Sequence, residues 1–302
     1  MFHPKRLIRA VLAKNGLLLR DEIEKRIMER DAALRQEMEN RDAVWRGKIQ
    51  NLNSELLRIL LGTRQAIALT LWASGSSDPG PPRPPVASES FEEYLAKLQS
   101  VHPRLFETWA SMNFTVNLDE YRQRPESSCS TSAHKVAPLF GGFIAPYLRG
   151  RVLDIGCGPY SVPSYLVGYP VELLSGIDPL VPFEPHPFEF VRGFAEFLPW
   201  GASTFDVLVA ATSLDHVLSL DRAFSEMVRV LKPGGMFLVW EGFVKGAPPY
   251  DPDSAEFQPS DRLHLFHFDE EWFEKLVEHH FHIREKLTVD GASYFYCLAA
   301  PK

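Results

Sequence analysis

Apolar and polar positions follow two rhythms along this chain. Residues 16–72 contain no proline, and apolar side chains recur at Ile23, Ile27, Leu34, Met38, Trp45, Ile49, Leu52, Leu56 and Ile59. Steps of three, four and seven residues are those of a helical stripe, so this stretch predicts one long helix or two. Arg30 and Arg41 interrupt the seam, and half of the residues between Asp21 and Gln50 are charged, with mixed sign. Two readings stay open: a coiled coil that oligomerises or docks on a partner, and a solvated helix packed along its own domain.

The rhythm changes beyond residue 90. Residues 74–90 read SGSSDPGPPRPPVASES, whose prolines exclude helix and favour a semi-rigid spacer, so a domain boundary is expected there. The predicted organisation is a helical region over 1–73, a linker over 74–90 and a compact domain over 91–302. Ser90 followed by Glu93 is a capping box that starts a helix through Leu98. Short helices around 105–112, a polar loop over 123–132 and an amphipathic segment over 134–148 follow. Apolar strand-like runs then fall at 152–155, 172–177, 188–192, 205–210, 235–240, 283–288 and 294–299, with helical runs between them, one around 162–167. That alternation predicts an α/β fold with a mostly parallel sheet.

Composition narrows the function classes. In 302 residues, 45% are apolar and 24% charged, as in ordinary globular proteins. A formal charge of −7 argues against neutralising phosphate backbones, so no nucleic-acid partner is expected. Three cysteines, Cys129, Cys157 and Cys297, form no CxxC pair, so neither a zinc knuckle nor a disulfide framework is encoded, and a reducing, cytoplasmic setting is expected. His279, His280 and His282 span a helix end and a strand start and read as surface residues; no metal site is expected. No run of 18 apolar residues occurs. The basic start, with Lys5, Arg6, Arg9, Lys14 and Arg20, leaves open a peripheral association with a membrane surface.

The chemistry-bearing run is Val152-Leu153-Asp154-Ile155-Gly156-Cys157-Gly158-Pro159, a buried strand passing into a glycine turn. Glycines let a backbone approach a ligand closely. As a pyrophosphate fingerprint it is poor, since Ser161 stands where a third glycine belongs and Asp154 repels phosphate. The acid suits a cationic ligand. At the end of the second strand Asp178 is placed to accept bonds from both ribose hydroxyls, which favours a nucleoside.

The ordered segments DIGCG, GID, GFAEFLPW, STFDVL, TSLDH and LKPGG resemble the class I S-adenosylmethionine-dependent methyltransferases, in their broad small-molecule (type 11-like) branch, over roughly residues 134–302. The resemblance implies a Rossmann-like seven-stranded sheet whose last strand, 294–299, is antiparallel. It also implies S-adenosylmethionine as cofactor, with Asp154, Gly156 and Gly158 around its methionine part, Asp178 at the ribose and Ala195 with Glu196 near the adenine. Thr212, at the end of the fourth strand, completes this set. Phe194 stands where the family often has an acid, leaving the adenine amino group to Glu196 or a backbone carbonyl.

Methyl transfer to an alcohol needs a base near neutral pH. His216 and Asp215, just past the fourth strand, are the first candidates. His264, in the loop of 241–268, is the second, with His264 and Phe266 expected on one side and His267 on the other. Each histidine has an equally weighted structural reading, as a helix cap or a loop tie. The absence of an NPPY-type segment after the fourth strand favours oxygen acceptors, with a small-molecule or sugar hydroxyl as the expected substrate. The resemblance implies that residues 113–134, with Tyr121, Arg122, Arg124 and His134, form a lid over the cofactor; surface ion pairs are the default reading of the arginines there. Rival readings are a cofactor-binding scaffold acting through its N-terminal helix, and methylation at nitrogen or carbon.

Overall fold

The computed structural model describes the backbone of residues 4–74, 89–289 and 291–301, and the side chains from residue 25 onward apart from 27, 73–88, 290 and 302. Of the expected linker, residues 75–88 lie outside the described set, as do the side chains of the basic start and of Ile23 and Ile27. Residues Pro4–Ser74 form one helix, α1. The chain divides into two compact units, Met1–Leu56 and Leu57–Lys302.

In the first unit the stripe predicted from the sequence lies open to solvent: Leu34, Met38, Trp45, Ile49, Leu52 and Leu56 are all exposed. No helix among the described residues is long and apolar enough to cross a membrane.

The second unit begins earlier than the expected boundary at residue 91, because the last turns of α1 are part of its core. Leu61 and Ala68 are buried. Arg64 donates to the carbonyl of Phe143 at 3.2 Å and pairs with Glu285 at 3.2 Å. Trp72 meets Tyr169 edge-on with centroids 5.0 Å apart. Gly142 is required here, since a Cβ on it would stand 2.4 Å from the backbone oxygen of Leu61.

Helices α2 (Phe91–Val101) and α3 (Pro103–Ser111) follow. The capping box at the start of α2 forms as expected: Ser90 Oγ accepts from the Glu93 amide at 3.2 Å, and the Ser90 amide donates to Glu93 Oε2 at 2.7 Å. A π-helical turn, Met112–Asn117, runs into α4 (Leu118–Gln123), and α5 is Ala137–Ile144. The strands are β1 (Val152–Ile155), β2 (Leu174–Asp178), β3 (Glu189–Arg192), β4 (Phe205–Ala211), β5 (Leu231–Gly242), β6 (His282–Val289) and β7 (Ser293–Ala299). Helices α6 (Leu220–Val230) and α7 (Glu270–Glu278) complete the set.

One seven-stranded sheet results, in the order β3-β2-β1-β4-β5-β7-β6, with β7 antiparallel to both neighbours. Alternate residues serve opposite faces, as the pleat requires. Leu153, Ile155, Leu208, Ala210, Phe237 and Val239 belong to one buried cluster, while Val152, Val207, Val209, Leu238 and Trp240 belong to the other.

The helix expected around 162–167 is absent; two 3₁₀ turns, Ser164–Leu166 and Val171–Leu173, occur between β1 and β2 instead. Pro159, Pro163, Gly168 and Pro170 explain this, since proline removes a helical donor and clashes with the preceding turn. The sheet face that such a helix would cover is closed instead by α5, Tyr165, Leu166, Tyr169 and the end of α1, through Leu57, Leu61 and Trp72. That substitution is why residues 57–72 cannot be separated from the domain.

Candidate active site

The order of strands reverses between β1 and β4, and a crevice opens at their carboxyl ends, where ligands bind in open α/β sheets. Gly156 leaves β1 with φ +78°. Opposite it, Ser213 follows β4 and its Oγ donates to the carbonyl of Ile155 at 2.7 Å. A Cβ on Gly156 would sit 2.3 Å from the Ser213 Cβ, and one on Gly158 (φ +76°) would sit 2.6 Å from Ser130 Oγ. Glycine is therefore required at both positions, where the Ser213 and Ser130 side chains pack against the turn. Thr212 forms part of the wall with φ +48°, a strained conformation for a β-branched residue. Its amide donates to the carbonyl of Trp240 at 2.7 Å.

Two acids stand behind this turn. Asp178 Oδ2 accepts from the Gly158 amide and Oδ1 from the Leu180 amide, both at 2.8 Å. Burial pushes its carboxyl up to about 6 against the pull of those amides and of Arg192. Asp154 is more deeply placed: Oδ2 accepts from the Tyr165 hydroxyl at 2.9 Å, while Oδ1 is buried with no hydrogen-bonding partner. Burial raises it to about 8, opposed by the Tyr165 hydroxyl and reinforced by Asp178. An unsatisfied buried carboxylate oxygen is costly, and an ammonium group is the partner that relieves it.

Two adjoining hollows share Asn113, Gly156, Pro179, Ser213 and His216. One, of about 80 Å³, reaches Gly158, Asp178, Thr212, Tyr121 and Cys129. The other, of about 50 Å³, reaches Trp109, Ile177, Phe194, Ala195 and Glu196. Both are smaller than the roughly 300–1,000 Å³ of small-molecule pockets, and Asn113, Asn117 and Tyr121 of the overlying segment 112–123 line them. A π-helical turn within that segment is a common mark of a functional site. Cys129 stays a thiol: burial pushes it up to about 12, and its Sγ donates to the carbonyl of Ala211 at 2.9 Å.

Glu196 Oε1 accepts from the amides of Leu218 at 2.8 Å and Ser219 at 3.1 Å. Glu196 thus ties the turn after β3 to the start of α6, and it lines the second hollow together with Phe194, Ala195 and Trp109.

On the other flank lie the candidate bases. Asp215 and His216 occupy a 3₁₀ turn, Leu214–His216, beyond β4. Trp109 Nε1 donates to the backbone oxygen of His216 at 2.7 Å and fixes that turn. His216 Nε2 stands 3.6 Å from Asp215 Oδ1, and its Nδ1 faces the Asn117 amide at 3.5 Å. Burial lowers the His216 pKa, only partly opposed by Asp215, so the ring is neutral at pH 7. His264 stacks beside it, centroids 5.3 Å apart. The expected alternation in residues 261–268 does not hold, because the segment bends rather than forming a strand. Asp261 gathers both His264 Nδ1 (2.9 Å) and His267 Nε2 (3.1 Å), while Phe266 turns away to stack on Tyr250. Arg262 pairs with Glu120 at 2.6 Å and Asn117 donates to the carbonyl of Leu263 at 3.0 Å, so this loop is tied to the overlying α4 segment.

The profile of the methyltransferase-domain family matches residues 153–239, the stretch from β1 to β5 that forms this crevice. The chain carries an S-adenosylmethionine-dependent methyltransferase domain. Over 65 residues the chain is 46% identical to a ubiquinone/menaquinone biosynthesis C-methyltransferase, UbiE, of Haemophilus ducreyi, covering 22% of this chain and 24% of that protein. A sterol 4-C-methyltransferase of Caenorhabditis elegans is 44% identical over 68 residues, 22% of this chain and 20% of that protein. The match thus spans about a quarter of these relatives' length or less. Among solved structures, a Burkholderia thailandensis 1,6-didemethyltoxoflavin-N1-methyltransferase with bound S-adenosylhomocysteine is similar over 74% of this chain and 95% of that one, at 18% identity and TM-score 0.45.

The cofactor fits the methyltransferase domain on the chain's own residues. The unsatisfied Asp154 oxygen suits its ammonium, the open glycine turn suits its methionine part, and Asp178 is held by two amides beside the turn. Two features escaped sequence reasoning. Glu241, fully buried at the end of β5, accepts from the Leu214 amide at 3.3 Å through Oε1 and leaves Oε2 without a partner. Burial and then Asp215 raise its pKa well above the ordinary range. An acid directly after the apolar run Phe237 to Trp240 was the available signal. Asn117 had none, being about a hundred residues from the histidine it touches.

Proposed function

We propose that the chain is a methyltransferase that transfers the methyl group of S-adenosylmethionine to an oxygen acceptor, the hydroxyl of a small molecule or sugar. The bound cofactor supplies a methyl group already activated on a sulfonium. What the chain must do is position, dry and deprotonate. Asp154 meets the cofactor's ammonium and Asp178 its ribose hydroxyls, while the 112–123 segment closes over both and excludes water. The observation that carries the oxygen acceptor is the cluster of Asp215, His216 and His264 at the flank of the hollow. A hydroxyl is a weak nucleophile until its proton is drawn off, and this cluster is the place to receive it.

The test is transfer from methyl-labelled cofactor by the full chain to sugars and small alcohols, with amines and carbon acceptors as competing classes. Label in a methyl ether is expected, and His216→Ala should lower kcat by about 10²–10⁴ at unchanged cofactor affinity. Label on carbon, as the names of the two curated relatives would have it, or on nitrogen would replace the oxygen reading. Cofactor binding without transfer to any class would favour a scaffold acting through α1.

A further inference from the structure

The acceptor flank holds a group of side chains that deprotonation alone does not explain. Asp215, His216 and His264 each present one donor atom, and all three atoms lie within 4.8 Å of one another. We propose that Asp215, His216 and His264 bind a divalent transition-metal ion at the acceptor end of the methyltransferase crevice.

Four observations carry this. Asp215 Oδ1 is buried and has no hydrogen-bonding partner; the His216 ring nitrogen nearest to it is 3.6 Å away, beyond a hydrogen bond. A hydrogen-bonded pair closes that gap to about 2.6–3.2 Å, whereas two donors about 2.1 Å from one tetrahedral ion stand about 3.4 Å apart, near the separation seen. One imidazole is oriented by an outer acceptor: Nδ1 of His264 donates to the Asp261 carboxylate at 2.9 Å, which leaves its Nε2 as the metal-facing nitrogen. An outer carboxylate orients metal-bound imidazoles in this way, and His267, on the same Asp261, extends the support. His216 turns Nε2 toward Asp215.

Charge provides the third argument. Among the described residues lining the two hollows there is no lysine or arginine, yet Asp178 is one of them. Asp215 Oδ1 and Glu241 Oε2 are both buried without a partner. Two unsatisfied carboxyl oxygens just past β4 and at the end of β5 call for a positive partner beyond the cofactor's own ammonium. Finally, the donor set itself selects the ion. Two neutral imidazoles and one carboxylate suit zinc, manganese, iron(II) or cobalt rather than magnesium or calcium, and leave positions open for water or an acceptor oxygen. With metal–nitrogen bonds of about 2.0–2.1 Å, the donors need close by only about an ångström.

The role in holding an acceptor oxygen rests on the oxygen-acceptor reading above; the binding of the ion does not. The full-length chain, stripped with EDTA and exchanged into chelator-free buffer, is titrated with Zn²⁺ by calorimetry and with Co²⁺ by visible absorption. One saturable ion per chain is expected. Its affinity should fall at least a hundredfold in His264→Gln and in Asp215→Asn, while both variants keep their affinity for S-adenosylhomocysteine. It should change less than twofold in His279→Ala/His282→Ala, which alters the exposed histidines outside the site. No saturable binding by a chain that binds S-adenosylhomocysteine would overturn the proposal. So would binding that survives His264→Gln and disappears in the His279/His282 variant. Failure to bind S-adenosylhomocysteine by a chain that takes up the ion would instead sink the methyl-transfer reading alone.

Discussion

The two flanks of the crevice are built from different materials. The cofactor flank is mostly backbone: Gly156 and Gly158 with positive φ, the amides of Gly158 and Leu180 on Asp178, and a buried acid at the end of β1. The acceptor flank is mostly side chain, brought together from α4 and the π-helical turn before it, the 3₁₀ turn after β4 and the bent segment 261–268. The first is local in sequence and tolerates almost no change. The second is assembled over some 150 residues and can be altered piece by piece, so a common cofactor grip coexists with a particular acceptor site.

The sharpest way to break that contrast is to put a side chain into the backbone flank. Gly156→Val places a β-branched residue at φ +78° with its Cβ 2.3 Å from that of Ser213. We expect S-adenosylhomocysteine binding to fall about a thousandfold, about 4 kcal/mol, in a calorimetric titration. Affinity within tenfold of the parent would show that the turn is not the cofactor's seat.

Next in size is Asp178→Ala. It removes an acceptor for two amides and for the ribose hydroxyls; charged acceptors contribute roughly 1.5–3 kcal/mol each, so affinity should drop about a hundredfold. Substituting His264→Gln on the other flank should shift the same constant less than threefold. Equal losses from the two substitutions would mean that the flanks do not act separately.

The contrast also explains what could be read in advance. The strands and the glycine turn followed from short apolar runs and φ-demanding residues, whose physics is local, whereas the antiparallel β7 came with the family resemblance. Three features did neither. The missing helix after β1 was hidden because the apolar spacing of 162–167 outweighed Pro159 and Pro163 in the reading. The domain boundary was drawn at the proline segment, whereas Leu61, Arg64 and Trp72 place the last turns of α1 inside the core, through contacts with residues 142, 143, 169 and 285 that no local pattern announces. His264 and His267 were set on opposite sides by strand alternation, and Asp261 draws them to one. The exposed stripe from Leu34 to Leu56 was legible as a pattern.

The smallest expected effect separates the flanks by pH. Asp154, raised to about 8, and Asp178, raised to about 6, hold protons more tightly in the folded chain than their unfolded values near 3.9 allow. The folded state therefore carries more bound protons than the unfolded state between pH 4 and 8. The stability these groups contribute is complete below pH 4 and is lost as pH rises through the folded values. Glu241, also raised, adds with the same sign. His216 acts oppositely: its lowered pKa costs stability only as pH falls below about 6.5, so above pH 7 the carboxyl groups are seen without it. Between pH 7 and 8.5 the cofactor-free protein should lose roughly 1–2 kcal/mol, a fall of about 2–4 °C in Tm for each kcal/mol. S-adenosylhomocysteine brings an ammonium to Asp154 and should flatten that slope. Asp154→Asn should flatten it without ligand, leaving the share due to Glu241. His264→Gln should leave it as it was, because the titration belongs to the cofactor flank; a slope that follows His264 instead would place the tightly held proton on the acceptor side.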